Sequence, residues 1–489
     1  MRSCVVVGAG ISGLSAAWDL VTRHPDLQVT VLEASDHVGG KIVGADVAGV
    51  RVDVGAESVL ARRPEAVELI REIGLGDDLV HPCATTASIW SRGTLHPMPP
   101  RTLLGIPSDV ETLRGLLTDE EVDRARAEQI VPTHEGRPGP DGSGGLPAAE
   151  DISLGDLIAD RLGPAVLDRL VEPLLGGVYA GHARDISAAA ALPAAWQAYR
   201  DGASLTATAA AALPSRPATA GPLPPGTAVP APVFAGLRGG LHRLPQRLAE
   251  VLTARGVHVR TGVTVRELRR SGTGFELVTG PVPRPTTYRA DLVVLALPPA
   301  PAARLLAEPA SRAADLLSGV QTASTALVTL ALPPAQGLEL SGSGFLVPPV
   351  EGQAIKAATF SATKWDWVRE AGQGRGEDGG DLVLLRTSLG RHREEAVLQR
   401  TDEDLAALAL EDLARIVGAP LPQPVGAHVQ RWGGGLPQYA VGHRHRVAAV
   451  REEVGAVPGL AVCGAAYDGV GIPACIGSGR AAARQVAPG

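Results

Sequence analysis

The stretch VVVGAGISGLSAAWDL, Val5 to Leu20, decides the fold. An apolar run ends in Gly8, Ala9, Gly10, Ile11, Ser12 and Gly13, and small and apolar residues at helical spacing follow. Gly8 permits a tight turn, Gly10 lets the backbone approach a pyrophosphate, and Gly13 lets the helix lie close to the strand. The free amides and positive end of that helix then face the phosphates. A second strand, LQVTVLEAS, ends near Glu33, which lies 20 residues beyond Gly13, where a carboxylate accepts a ribose hydroxyl. The stretch therefore predicts a βαβ unit that binds a dinucleotide.

The residues that follow distinguish FAD from NAD. EASDHVGGK adds Gly39, Gly40 and Lys41, and VDVGAES adds Gly55 after another strand. A nicotinamide cofactor does not need these repeated backbone approaches; a bulkier one crossing the sheet edge does. Near the other end, CGAAYDGVGIPACIGSGRAAA (Cys463 to Ala483) reads as a strand end, a turn with Gly469 and Gly471, and a helix of small residues with Pro473 in its first turn. A floor free of side chains at a helix N-terminus suits an isoalloxazine and stabilises its reduced, negative form. Taken singly, each feature also reads as a plain turn or a helix packed through small residues. Together they favour FAD.

A chain of 489 residues implies two or three domains. Its 45% apolar and 20% charged residues are those of a globular enzyme, and a net charge of −7 argues against a nucleic-acid surface. Only Lys41, Lys356 and Lys364 are lysines; the other 42 of 45 basic residues are arginine, so bound anions will mostly meet guanidinium forks. Cys4, Cys83, Cys463 and Cys475 are scattered, with no metal-ligand spacing, and read as buried reduced thiols. No apolar run approaches the roughly 18 residues of a spanning helix, and glycines interrupt any signal-like start, so the expectation is a cytoplasmic protein with at most a peripheral membrane association.

Farther along, RPEAVELIREIGLGDDLV is helical with Gly74 as its stop, and Ser153 and Asp156 open another helix. The segments 133–150 and 213–232 read as loops, the second Pro/Ala-rich and mobile. VHVRTGVTVRELRRSGTGFELVTG reads as antiparallel strands, ADLVVLALPP as a central strand, and 322–390 as several more. The fold class expected is α/β: a Rossmann-type FAD-binding domain built from discontinuous segments (1–85, 233–300, 426–489), a mixed-sheet substrate domain (86–110, 195–212, 301–425) and an inserted helical domain (111–194).

These motifs, with GAESVLARRPEAVELIREIGL, LHPMP, VEPLLGGVYAG and RWGGGLPQYAVGH, make the chain resemble the oxygen-dependent protoporphyrinogen and coproporphyrinogen III oxidases of the flavin amine-oxidase-like superfamily. The resemblance covers nearly the whole chain, and VEPLLGGVYAG and LPQYAVGH look most like the bacterial branch acting on coproporphyrinogen III. It implies that Gly8 to Gly13 hold the pyrophosphate, Glu33 and Ala34 the adenosine ribose, and Gly40 and Lys41 the phosphate side. Gly55, Ala56, Glu57 and Ser58 would run beneath the flavin, Val265 would meet the adenine through its backbone, and Trp432 would stand near the ring system. Val470, Gly471 and Ile472 would line the isoalloxazine. GAESVL departs from the family's Gly-Pro-Asp-Ser-Phe-Leu, so side-chain contacts of Glu57 do not carry over.

The reaction so implied removes six electrons from a porphyrinogen, with O2 as acceptor and H2O2 as by-product, and needs no catalytic side chain beyond the flavin, and no metal. Four propionates on an apolar disc call for flat apolar walls and peripheral cations. Arg62 and Arg63 are the candidates for propionates, with a solvated surface pair as the alternative. Gly177, Tyr179, Phe345 and Leu346 are the candidates for pocket walls, against simple core roles. Protoporphyrinogen as substrate, a flavin amine oxidase or carotene desaturase, and a porphyrin carrier that contacts the next haem-pathway enzyme remain alternatives.

Overall fold

The computed structural model describes residues 2–130, 151–213, 232–334 and 340–488, so the two loops expected around 133–150 and 213–232 lie almost wholly outside the described residues. The opening stretch forms the strand Ser3–Val7 and the helix Ile11–Arg23. Its strand sits at the centre of a five-stranded parallel sheet, flanked by Gln28–Leu32 and Leu292–Leu295, with His258–Arg260 and Leu460–Val462 at the edges. Runs such as Val5–Val6–Val7 and Leu292–Val293–Val294–Leu295 are apolar throughout because this sheet is covered on both faces. Residues 258–260, expected to be antiparallel, instead extend this sheet in parallel; the antiparallel meander begins only at Val265–Ser271. Three residues are too few for alternation to reveal which neighbour a strand will find.

A seven-stranded mixed sheet, called here the wall sheet, runs in the order Gly426–Pro437, Thr322–Leu332, Val383–Leu389, Ile355–Thr359, Gly344–Leu346, Ser88–Ser91, Thr94–Pro97. One face is covered by the helix Asp402–Val417, opened by a Thr401 cap. The strand Gly426–Pro437 pairs along Thr322–Leu332, so the wall sheet extends past the boundary expected at 425. The helical layer likewise reaches 212, because Trp196, Leu205 and Ala209 share its core. Of the sequence-level stops and caps, Gly74 lies just past Pro64–Glu72 at φ +80°, and the Ser153 side chain accepts from the Asp156 amide. Of the cysteines, Cys83 is exposed rather than buried, its thiol 2.8 Å from Asp366.

The two chain ends interlock. The final helix, Ile472–Val486 (the floor helix), crosses Ile11–Arg23 so tightly that a Cβ on Gly479 would lie 2.1 Å from the Ser12 carbonyl oxygen. Glu72 fastens the bundle by accepting from both Trp18 and Arg480 at 2.7 Å. By contrast, a Cβ on Gly477, two residues earlier, would meet nothing nearer than the Glu65 side chain at 3.8 Å. Gly479→Ala is therefore expected to lower stability by about 1–3 kcal/mol through overpacking. Gly477→Ala should be neutral or stabilising by up to about 1 kcal/mol, from helix propensity alone. Urea unfolding of the two variants checks the contrast in sign.

Candidate active site

The phosphate turn is built by close contact. Gly8 takes φ +104° with its Cβ position 2.4 Å from the Ala296 oxygen, and a Cβ on Gly13 would fall 1.9 Å from the Gly8 oxygen. Gly10 differs: nothing lies within 4 Å of its Cβ position, so its lack of a side chain serves something outside the polypeptide. The second glycine pair seats against the first. The Gly39 amide donates to the Ala9 oxygen at 2.8 Å, and the Cβ position of Gly40 lies 3.3 Å from the Gly10 Cα. Glu33 is oriented toward the same turn, accepting from the Ala9 amide at 2.7 Å and from Ser35 at 2.9 Å. Its neighbour Ala34 lies two residues past the strand Gln28–Leu32, and the Glu33 backbone carbonyl accepts from the Val263 amide at 2.7 Å, two residues before Val265 opens the strand Val265–Ser271.

Farther along the groove, Lys41 is the meeting point. Its carbonyl accepts from the Ala56 amide at 2.9 Å, and a Cβ on Gly55 would lie 2.1 Å from that oxygen. Its side chain runs beside Gly435, whose Cβ position is 3.5 Å from Lys41 Cε and 2.8 Å from Trp432 Cβ. Burial lowers the Lys41 pKa, and among the described residues no carboxylate lies within 4.0 Å to offset its charge. The floor helix begins here: Gly471 is its exposed N-cap, Ile472 and Pro473 form its first turn, and Val470 packs toward the helical layer. A groove with an open glycine turn at one end, an unpaired lysine midway and a bare helix N-terminus at the other fits an elongated anionic cofactor.

Glu57 has side-chain contacts that the sequence did not disclose. It is buried against Lys364 at 2.7 Å and Arg386 at 3.1 Å, and Arg386 also donates to the Gly55 oxygen at 2.6 Å. Burial alone would push the Glu57 carboxyl up, but the two cations outweigh it and hold its pKa at about 2. The loop Gly55–Ser58 is thereby pinned to the wall sheet, and Ser58 leads into the strand Val59–Leu60.

Facing the groove, the wall sheet presents one row of side chains across four strands. Leu327 pairs with Ser388, Ser388 with Ala357, and Ala357 with Leu346, and all four are half-buried. The adjacent row, Val328, Thr387, Ala358 and Phe345, points to the opposite face and is wholly buried. Three strand spacings make the half-buried row about 14 Å long. The pleat thus separates two residues expected together: Leu346 faces the groove, while Phe345 packs edge-on to Phe360 in the core beneath. Opposite Leu346, the helix Glu172–Tyr179 leaves Gly177 and Val178 exposed, and a Cβ on Gly177 would lie 4.0 Å from Leu346. Tyr179 is turned inward, its ring 5.3 Å from that of Tyr439, and burial raises its pKa to about 12.

Arg62 and Arg63 stand apart from this wall. Both are exposed, and Arg63 is engaged by Glu65 at 2.6 Å, beside the middle of the floor helix rather than its N-terminus. Among the described residues no group of three His, Cys, Asp or Glu could hold a metal, and no helix is long and apolar enough to cross a membrane.

Two variants test the groove. Nothing lies within 4 Å of the Gly10 Cβ position, so Gly10→Val should fold with the melting temperature of the flavin-stripped parent and purify without flavin absorbance; a fully yellow Gly10→Val protein would overturn the phosphate-turn assignment. Because the folded pKa of Glu57 is depressed, its stabilisation is complete above about pH 4.5 and is lost as pH falls toward 2. The contribution is on the order of 3 kcal/mol. Urea midpoints should fall across that interval in the parent, whereas Glu57→Gln, which strands two cations, should be destabilised by about 3–5 kcal/mol at neutral pH and lack that acid limb.

The chain matches the family described as flavin containing amine oxidoreductase over residues 11–487. The coproporphyrinogen III oxidase of Mycobacterium tuberculosis is 36% identical over 486 residues, covering 98% of this chain and 96% of its own. That of Bacillus subtilis is 31% identical, covering 98% and 97%. A crystal structure from Exiguobacterium sp. 255-15, provisionally assigned as a protoporphyrinogen oxidase, superposes with a TM-score of 0.80 at 32% identity, covering 99% and 98%. With a shared fold, near-complete coverage and a groove shaped for a flavin, the chain belongs to the flavin containing amine oxidoreductase family and is an oxidoreductase of its coproporphyrinogen III and protoporphyrinogen oxidase group.

Proposed function

We propose that this protein binds FAD and oxidises coproporphyrinogen III to coproporphyrin III, with O2 as acceptor and H2O2 as by-product. The observation that carries the reading is the half-buried row Leu327–Ser388–Ala357–Leu346, a nearly apolar wall that ends beside the exposed Gly177. The names of the relatives at 31–37% identity support the tetrapyrrole as its occupant. FAD fits the residues present: Gly8 to Gly13 for the pyrophosphate, Glu33 for the ribose, Lys41 with Gly55 and Ala56 along the middle, and Gly471 beneath the ring.

When bound, FAD supplies a two-electron acceptor that takes hydride from a carbon bridge and returns the electrons to oxygen. The substrate gives up six electrons and six protons, which three molecules of O2 take up as three of H2O2. The chain's own contribution is orientation and exclusion of water. The wall row holds a disc flat, Gly177 lets it approach the helix backbone, and Val178 and Val470 close the sides with apolar groups. The row carries no acid–base pair, only the hydroxyl of Ser388, so the bridge and pyrrole protons leave without a dedicated side-chain base in contact.

Purified holoprotein given coproporphyrinogen III in air should generate coproporphyrin fluorescence catalytically, with one peroxide per two electrons. Its kcat/KM should exceed that for protoporphyrinogen IX, and the reverse preference would transfer the assignment to protoporphyrinogen, the substrate named for a Macaca fascicularis relative at 28% identity.

A further inference from the structure

Where the wall sheet meets the helix Glu172–Tyr179, two cations are buried with no carboxylate hydrogen-bonded to either among the described residues. Lys356 is 6% exposed, and its ammonium donates to the Gly390 carbonyl at 2.7 Å. Arg391, equally buried, donates to the Val347 carbonyl at 2.9 Å, and its Nη1 lies 2.9 Å from the Cβ position of Gly176. Among the described residues, Lys356 has no carboxylate within 4.0 Å, and Arg391 has only Glu394, at that limit and half-exposed. From the helix, Glu172 faces the pair with one oxygen on the Ala183 amide and the other buried without a partner. Desolvation raises the Glu172 pKa, and burial lowers that of Lys356 to about 7. The remaining charged neighbours, His182, Asp185, His392 and Arg393, lie on the two segments that leave the helix and the sheet; burial lowers the His392 pKa.

Two buried cations hydrogen-bonded only to carbonyl oxygens are costly to keep unless an anion joins them. The place adjoins the groove: Lys356 sits at the bulge between Ile355 and Ala357, where the alternation of the pleat is broken, and Arg391 reaches Gly176, whose exposed neighbour Gly177 stands by Leu346. We propose that Lys356 and Arg391 form the seat for a carboxylate of the substrate, at the end of the apolar wall remote from Glu57. This deepens the function proposed above and rests on it. A propionate on a disc lying along the row would reach the junction of Leu346 and Gly177, where a guanidinium fork and an ammonium accept it as a charge-assisted pair. The seat assigns propionate recognition to residues distinct from Arg62 and Arg63.

The test compares binding of coproporphyrin III with that of its tetramethyl ester, which keeps the disc and removes the charges, by quenching of porphyrin fluorescence on the holoprotein. The parent should bind the acid at least ten-fold more tightly than the ester. Lys356→Met, which keeps the volume, and Arg391→Met should each reduce that ratio several-fold and leave the ester affinity and the flavin spectrum as they are. Acid binding by the parent should weaken as pH rises above about 7, where Lys356 deprotonates, and Lys356→Met should lack that dependence. Variants that keep the full ratio, or that lose acid and ester together, overturn the seat. A parent protein that oxidises coproporphyrinogen but gives either result loses only this assignment; one that neither binds nor oxidises a porphyrin overturns the proposed function as well.

Discussion

The site depends on one close approach, the floor helix against the first helix at Gly479 and Ser12, where not even a methyl group fits. Helices usually pack 8–10 Å apart through side chains. Here a stripe of small residues, Gly479, Ala482 and Ala483, lets the last helix sink onto Ile11–Arg23. That depth brings two helix N-termini, at Gly10 and Gly471, to the same groove from opposite ends of the chain. Their positive ends and free amides are thus carried by two helices locked directly together.

The second constraint is the clamp on Glu57. The loop Gly55–Ser58 follows the early glycine turns, and its carboxylate is held by Arg386 of the wall sheet and by Lys364 of the short helix Ser361–Lys364. Two cations on one buried carboxylate give the clamp polarity as well as position. The loop Gly55–Ser58 is thereby tied to the wall sheet at Arg386.

The glycine turn after the first strand, the second glycine pair and the glycine-capped start of the last helix were legible as structure because each needs a particular residue type at a particular place, and the chain supplies it. The wall row was not. Leu327, Ser388, Ala357 and Leu346 are ordinary strand residues, made into a surface only by register across strands far apart in sequence, and of these the sequence pointed to Leu346 alone. Phe345 was drawn into the same expectation because adjacency in sequence hides the alternation of the pleat. Arg63 looked available because nothing in the chain foretold that Glu65 would take it. One signal was present and went unused. In a chain that uses arginine for nearly every surface cation, the three lysines stand at Lys41 in the groove, Lys364 on Glu57 and Lys356 behind the wall, all largely buried. A compact ammonium that can shed its proton suits such places better than a guanidinium.

The interlocked chain ends also bear on how the protein is made. The floor helix and the strand before it follow every other described element in the order of synthesis, so a growing chain has half a cradle and no floor until residues 460–486 leave the ribosome. Retention of the yellow cofactor is then a record that synthesis passed Val486, and a product interrupted before it betrays itself as a colourless, unsealed bundle exposed to the cell's proteases.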